Sequence, residues 1–149
     1  MRAYPIEIKQ KNQSYFTLMF EDTELLLMNN EIICYKSLQE LLDKEKNNYE
    51  IDDSLYIHDF TCDEYVNPIN YDDVLTNWNL LNTIAGYYGM YFEGDAKKRT
   101  YTYNYLFCCV TSIEKLPKAI NLPQKCVKDI FFVFKKKDRI LKKLHYVNK

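Results

Sequence analysis

Residues 70–86 constrain this chain more than any other stretch, because they carry the marks of a capped, amphipathic helix. Asn70 offers a side-chain oxygen to the unsatisfied N–H groups of a first turn. Asp72 and Asp73 place negative charge where the helix dipole favours it. Val74, Trp78, Leu81 and Ala85 recur at i, i+4, i+7 and i+11, one apolar stripe along a helix. Gly86 follows the last periodic residue, where a C′ glycine belongs. Beyond it, residues 87–92 are rich in aromatics, and Gly94, Asp95, Ala96 and Lys97 read as a turn. Tyr101, Tyr103 and Tyr105 then alternate with polar neighbours at the strand period. The expectation for residues 70–107 is helix, strand, turn, strand, with Trp78 packed on one face of an antiparallel hairpin.

Upstream, residues 4–8 read as a short strand that Pro5 confines to a sheet edge or a strand start. Residues 14–20 (SYFTLMF) form a second strand. Residues 25–28 and 32–35 flank Asn29 and Asn30, a hairpin turn because asparagine tolerates positive φ. Ser37 and Glu40 have capping-box spacing ahead of Leu38, Leu41 and Leu42, and residues 54–57 read as a further strand. Val127, Ile130, Phe131 and Phe134 give a helical stripe opening after Pro123. The competing reading of residues 124–136 is a strand hairpin turning at 135–138, and the tail 139–147 reads as a last strand or a helical extension. With 149 residues the chain has the size of one domain able to bury its own core. The expected class is α+β, a single domain with an antiparallel or mixed sheet. Helices near 37–46, 71–85 and 124–136 pack against that sheet.

Charge is distributed unevenly along the sequence. Residues 1–95 hold 6 basic against 18 acidic side chains, a balance of −12, and residues 96–149 hold 14 against 3, or +11. The acidic half culminates in a belt at Glu50, Asp52, Asp53, Asp59, Asp63, Glu64, Asp72 and Asp73, with no lysine or arginine between them. Asp72 and Asp73 are explained by the helix start. Asp52, Asp53, Asp59, Asp63 and Glu64 fall at strand ends and loops, where side chains are free to meet a partner, and are the candidate partner-binding residues. The bland reading is that the belt neutralises the lysines of residues 96–149 within the same fold. Lys135, Lys136, Lys137, Arg139, Lys142 and Lys143 suggest contact with nucleic acid, although no nucleic-acid motif surrounds them.

Reaction chemistry has little support in the sequence. His58 beside Asp59 reads as a strand-end residue and His145 as part of the tail, outside any nucleophile motif. Three glycines leave no phosphate-cradling loop, and the calcium-loop spacing is absent, so no catalytic residue, metal or cofactor is assigned. Five cysteines (Cys34, Cys62, Cys108, Cys109, Cys126) without a C-x-x-C pair are expected to be reduced. The opening MRAYPIEIKQ lacks the apolar stretch of a signal peptide and no run approaches a membrane span, so a cytoplasmic, non-membrane protein is expected.

The run VLTNWNLLNTIAGYYGMYFEGD followed by YTYNYLF resembles small bacterial immunity proteins encoded beside contact-dependent growth inhibition and related polymorphic toxins. The shared pattern is a helix with L-x-x-W-N-L (Leu75, Trp78, Asn79, Leu80), an aromatic strand ending in Gly94 and Asp95, and a tyrosine-rich segment ending in Leu106 and Phe107. The resemblance implies a non-enzymatic binding role in the cytoplasm, with a cognate protein toxin domain as the partner. It carries over no contact residues, since immunity surfaces vary with their toxins. A nuclease is the expected target class, because nucleases are basic to hold phosphate and an acidic surface mimics nucleic acid. The alternative is a nucleic-acid-binding accessory protein using the basic C-terminal segment.

Overall fold

The computed structural model describes residues 2–147. Its content is α+β: five helices and two small sheets of mixed strand direction. The chain divides into two compact units, one running to Thr61 and resuming at Lys142, the other spanning Cys62–Leu141.

The first unit is built on β1 (Arg2–Lys9) and β2 (Ser14–Phe20), paired antiparallel from Ala3↔Phe20 to Lys9↔Ser14. After β3 (Leu27–Met28), β4 (Glu31–Cys34) and α1 (Leu38–Glu45), the short β5 (Glu50–Ile51) and β6 (Tyr56–Asp59) both run parallel to β1 on its other side. β1 is therefore a central strand with Pro5 as its fourth residue, contrary to the sheet edge or strand start expected from that proline. The reason lies in the pairing phase. Ala3 C=O accepts from Asp52 N–H (2.9 Å) and Lys9 C=O from Phe60 N–H (2.8 Å), so odd-numbered residues of β1 face β5 and β6. Pro5 falls between the end of the β5 pairing at Ile51 and the start of the β6 pairing at Tyr56, where no ladder bond is demanded.

β3 and β4 form the expected hairpin, with Asn29 and Asn30 at φ 53° and 65°, the left-handed pair a type I′ turn requires. The tail supplies β7 (His145–Tyr146), parallel to β4. Ser37 caps α1 by accepting from Glu40 N–H at 3.1 Å. Leu38 and Leu41 bring α1 onto a core with Ala3, Leu18, Leu26, Ile33 and Tyr35.

The second unit is helical. α2 (Tyr71–Tyr87) begins as expected, with Asn70 Oδ1 accepting from Asp73 N–H at 3.1 Å, and buries Val74, Trp78, Leu81 and Ala85. The helix runs through Gly86, and the left-handed residue that follows its end is Gly89, φ 64°. The expected hairpin over residues 87–107 is absent. Residues Glu93–Asp95 and Lys97–Arg99 form 3₁₀ turns, and Thr100–Val110 is a helix, α3. The tyrosines alternate in sequence, yet the residues α3 buries are Thr102 and Leu106, four apart on one helical face. Tyr103 meets Trp78 with ring centroids 6.0 Å apart, and Thr102 Oγ1 donates to Asp129 Oδ2 at 2.7 Å. Tertiary partners of this kind decide the state of a tyrosine run whose own preference is weak. α4 (Gln124–Lys135) follows Pro123 and settles the helix-or-hairpin alternative for that segment, and α5 (Lys137–Leu141) ends the unit.

Candidate functional site

The unit boundary falls inside the acidic belt, placing Asp52, Asp53 and Asp59 in the first unit and Asp63 and Glu64 in the second. Their surroundings differ. Asp52 is engaged: Oδ1 accepts from Arg2 Nη2 at 3.0 Å and from Asp53 N–H at 2.9 Å, and Oδ2 accepts from the Tyr56 hydroxyl at 3.3 Å. The Asp52 charge, with burial and that hydrogen bond, holds the Tyr56 phenol above its ordinary pKa. Asp59 closes a local turn, accepting at Oδ1 from Thr61 N–H (2.8 Å) and Thr61 Oγ1 (2.6 Å). Burial pushes its pKa up, but the two Thr61 bonds and the charge of Lys9 outweigh burial and leave it below the usual aspartate value.

Asp63 faces Lys137 Nζ at 3.4 Å, a lysine that is itself buried. Asp53 and Glu64 are exposed, and neither carboxylate has a cation partner among the described residues. Of the five candidate carboxylates, Asp52 and Asp63 thus sit in ion pairs and Asp59 in a turn, leaving Asp53 and Glu64 outside any ion pair among the described residues.

The charge asymmetry of the sequence is largely offset within each unit. The first unit holds 12 acidic and 9 basic side chains (−3), the second 9 and 11 (+2). In the second unit Lys125 pairs with Asp129 at 2.9 Å and Lys136 with Glu93 at 3.4 Å. Arg99 is buried beside Glu93, with its guanidinium 4.2 Å from the Phe132 ring centroid. Arg99, Lys125, Lys136 and Lys137, four of the fourteen basic side chains of residues 96–149, thus pair with carboxylates of the same unit. What stays acidic is local: β1, β5, β6 and the β5–β6 connection of the first unit carry five carboxylates, Glu7, Glu50, Asp52, Asp53 and Asp59, against two cations, Arg2 and Lys9.

That same place exposes apolar surface, which the sequence reading did not anticipate. Tyr56 is 48% and Ile57 59% exposed on β6. The Tyr56 ring is held edge-on to Tyr4 at 6.1 Å while its hydroxyl is tied to Asp52, so it is fixed before any partner arrives. The signal available in the sequence was the string Tyr56, Ile57, His58, Asp59, which puts two large side chains beside carboxylates with no lysine. His58, between them, is buried. In the second unit α3 exposes Tyr101 and Phe107, and Phe131 of α4 is likewise exposed. The expected strand hairpin concealed that surface. Among the described residues no group of three or more His, Cys, Asp or Glu could hold a metal ion, and no helix is long and apolar enough to cross a membrane.

No protein-family model matches the chain, and no curated protein matches it. Among solved structures it is similar to the C-terminal domain of SatS, crystallised in complex with bromine. The TM-score is 0.59 at 16% sequence identity, covering 97% of this chain and 94% of that one. At that identity the likeness is one of fold.

Proposed function

We propose that this chain is a cytoplasmic immunity protein, which binds a cognate toxin domain and occludes its active site or substrate-docking surface, with a nuclease as the target class. One observation carries the reading: Tyr56, held in place by Tyr4 and Asp52, and its neighbour Ile57 both stand exposed on β6 amid an excess of carboxylates. Apolar anchors ringed by charge are how protein interfaces obtain a long-lived complex and fast encounter together. A basic, phosphate-binding toxin surface is the natural complement of Asp53, Asp59 and their neighbours. The resemblance at Leu75, Trp78, Asn79 and Leu80 supports the same assignment. The nucleic-acid-binding alternative draws less support, because Lys136 and Lys137 of the basic segment are spent on Glu93 and Asp63.

The test is protection. Cells expressing the toxin domain encoded immediately upstream should survive only when this chain is co-expressed, and Ile57→Asp should abolish survival while the variant remains folded. Survival without this chain, or full protection by a folded Ile57→Asp, would refute the assignment.

A further inference from the structure

The geometry points to β6 as a docking edge that accepts an extended, basic segment of the partner as an added strand. This inference rests on the protein-binding reading above and specifies how binding occurs.

β6 pairs with β1 on one side, and on its other side no strand is paired with it among the described residues. The bond from Phe60 N–H to Lys9 C=O (2.8 Å) fixes the phase of the parallel ladder. Even-numbered residues of β6 turn their backbone groups toward β1, and Ile57 turns its N–H and C=O outward. Edge strands are ordinarily protected by shortness, charged side chains (lysine above all), proline, a bulge or a covering loop, and of these β6 has its four-residue length and Asp59 at its end. β6 carries neither lysine nor proline, and the Ile57 side chain is 59% exposed. An outward donor and acceptor flanked by apolar side chains is what a strand-adding ligand reads, with main-chain bonds giving affinity and alternate side chains giving selectivity.

Charge selects the occupant. The five carboxylates and two cations on β1, β5, β6 and the β5–β6 connection leave an excess of three negative charges. A second copy of the same edge would be repelled. A segment alternating lysine or arginine with apolar residues would be attracted.

The probe is a capped hexapeptide alternating lysine and valine, titrated into the isotope-labelled full chain and followed by amide NMR. The expected result is saturable shifts centred on residues 56–59. Affinity should be about tenfold weaker when the peptide is N-methylated at alternate nitrogens, the loss of roughly one to two backbone bonds. Ile57→Pro, which removes the outward N–H at a position that donates no ladder bond to β1 while also fixing φ there, should weaken binding at least as much, and Ile57→Val should retain it. A glutamate–valine peptide should not bind.

The inference is overturned by shifts centred elsewhere, by equal affinity of the N-methylated peptide or of a folded Ile57→Pro, or by no binding at saturating peptide. It is also overturned by a self-paired dimer that Ile57→Pro dissolves. If the upstream toxin binds but the peptide does not, edge pairing falls and the immunity reading stands. If the peptide binds at β6 but the toxin does not, the immunity reading falls and the edge remains a strand acceptor.

Discussion

Gly94→Ala tests how tightly the second unit is built. Gly94 lies in the 3₁₀ turn Glu93–Asp95, and a Cβ added there would stand 2.6 Å from Trp78 Nε1 and overlap the Phe92 ring. Ordinary contacts of this kind are about 3.5–4.0 Å. Neither neighbour has room to retreat: Trp78 is 1% and Phe92 3% exposed. The rings of Phe92, Tyr103 and Phe134 surround the indole at 6.2, 6.0 and 6.5 Å. Overpacking a filled core costs about 1–3 kcal/mol. Against it, alanine restricts the unfolded chain and returns about 0.4–1 kcal/mol. The net loss lies between about 0 and 2.6 kcal/mol, and the overlaps with the immobile Phe92 and Trp78 rings put it in the upper half, a melting temperature lower by roughly 4–10 °C. The control is Gly86→Ala, where nothing lies within 4 Å of the new Cβ. That helical site should gain roughly 0.5–1 kcal/mol. Calorimetry of the two variants beside wild type decides the matter. A Gly94→Ala melting temperature equal to or above wild type would refute the packing of this turn against Trp78.

Three further outcomes follow from the structure. Asp53→Lys and Glu64→Lys should leave the melting temperature unchanged. Asp53→Lys, and not Glu64→Lys, should also slow toxin association by about tenfold at low salt. Asp52→Lys and Asp63→Lys should destabilise the fold, because each carboxylate faces a cation, so identical melting temperatures for all four would contradict the pairings. At high pH, burial raises the Cys34 thiol above its ordinary 9.0, and burial with the Glu45 hydrogen bond raises the Tyr35 phenol above 10.0. Unfolding therefore releases protons in that range, so stability held at lower pH declines from about pH 9 upward, and Tyr35→Phe should flatten part of the decline. Thiol titration of the native protein should modify Cys62 and Cys108 first and spare Cys34 and Cys126, with all five reacting on denaturation; fast labelling of native Cys34 would contradict its burial.

Elements with local signals were legible in the sequence. The Asn70 and Ser37 caps, the Asn29–Asn30 turn and the stripe through Trp78 all rest on interactions within a few residues of each other, and each stands where expected. What long-range pairing decides was not legible. Pro5 suggested an edge because its missing N–H usually excludes a central strand, and only the gap between β5 and β6 makes its position tolerable. The tyrosines of α3 looked like a strand because their period is two, yet Trp78 and Asp129 select the helical face that is buried. The candidate surface was half legible. Its carboxylates were evident, but the ion pairs of Asp52 with Arg2 and Asp63 with Lys137 join residues 50 and 74 positions apart. The exposure of Ile57 depends on which strands β1 recruits.

The central claim is tested most directly by titrating the purified chain, in a calorimeter, into the domain encoded by the gene immediately upstream, with nuclease activity assayed at each point. The account predicts a saturable one-to-one complex whose formation extinguishes the activity in proportion, and whose association rate falls as salt rises. No complex, or a stoichiometric complex with the toxin still fully active, would contradict it.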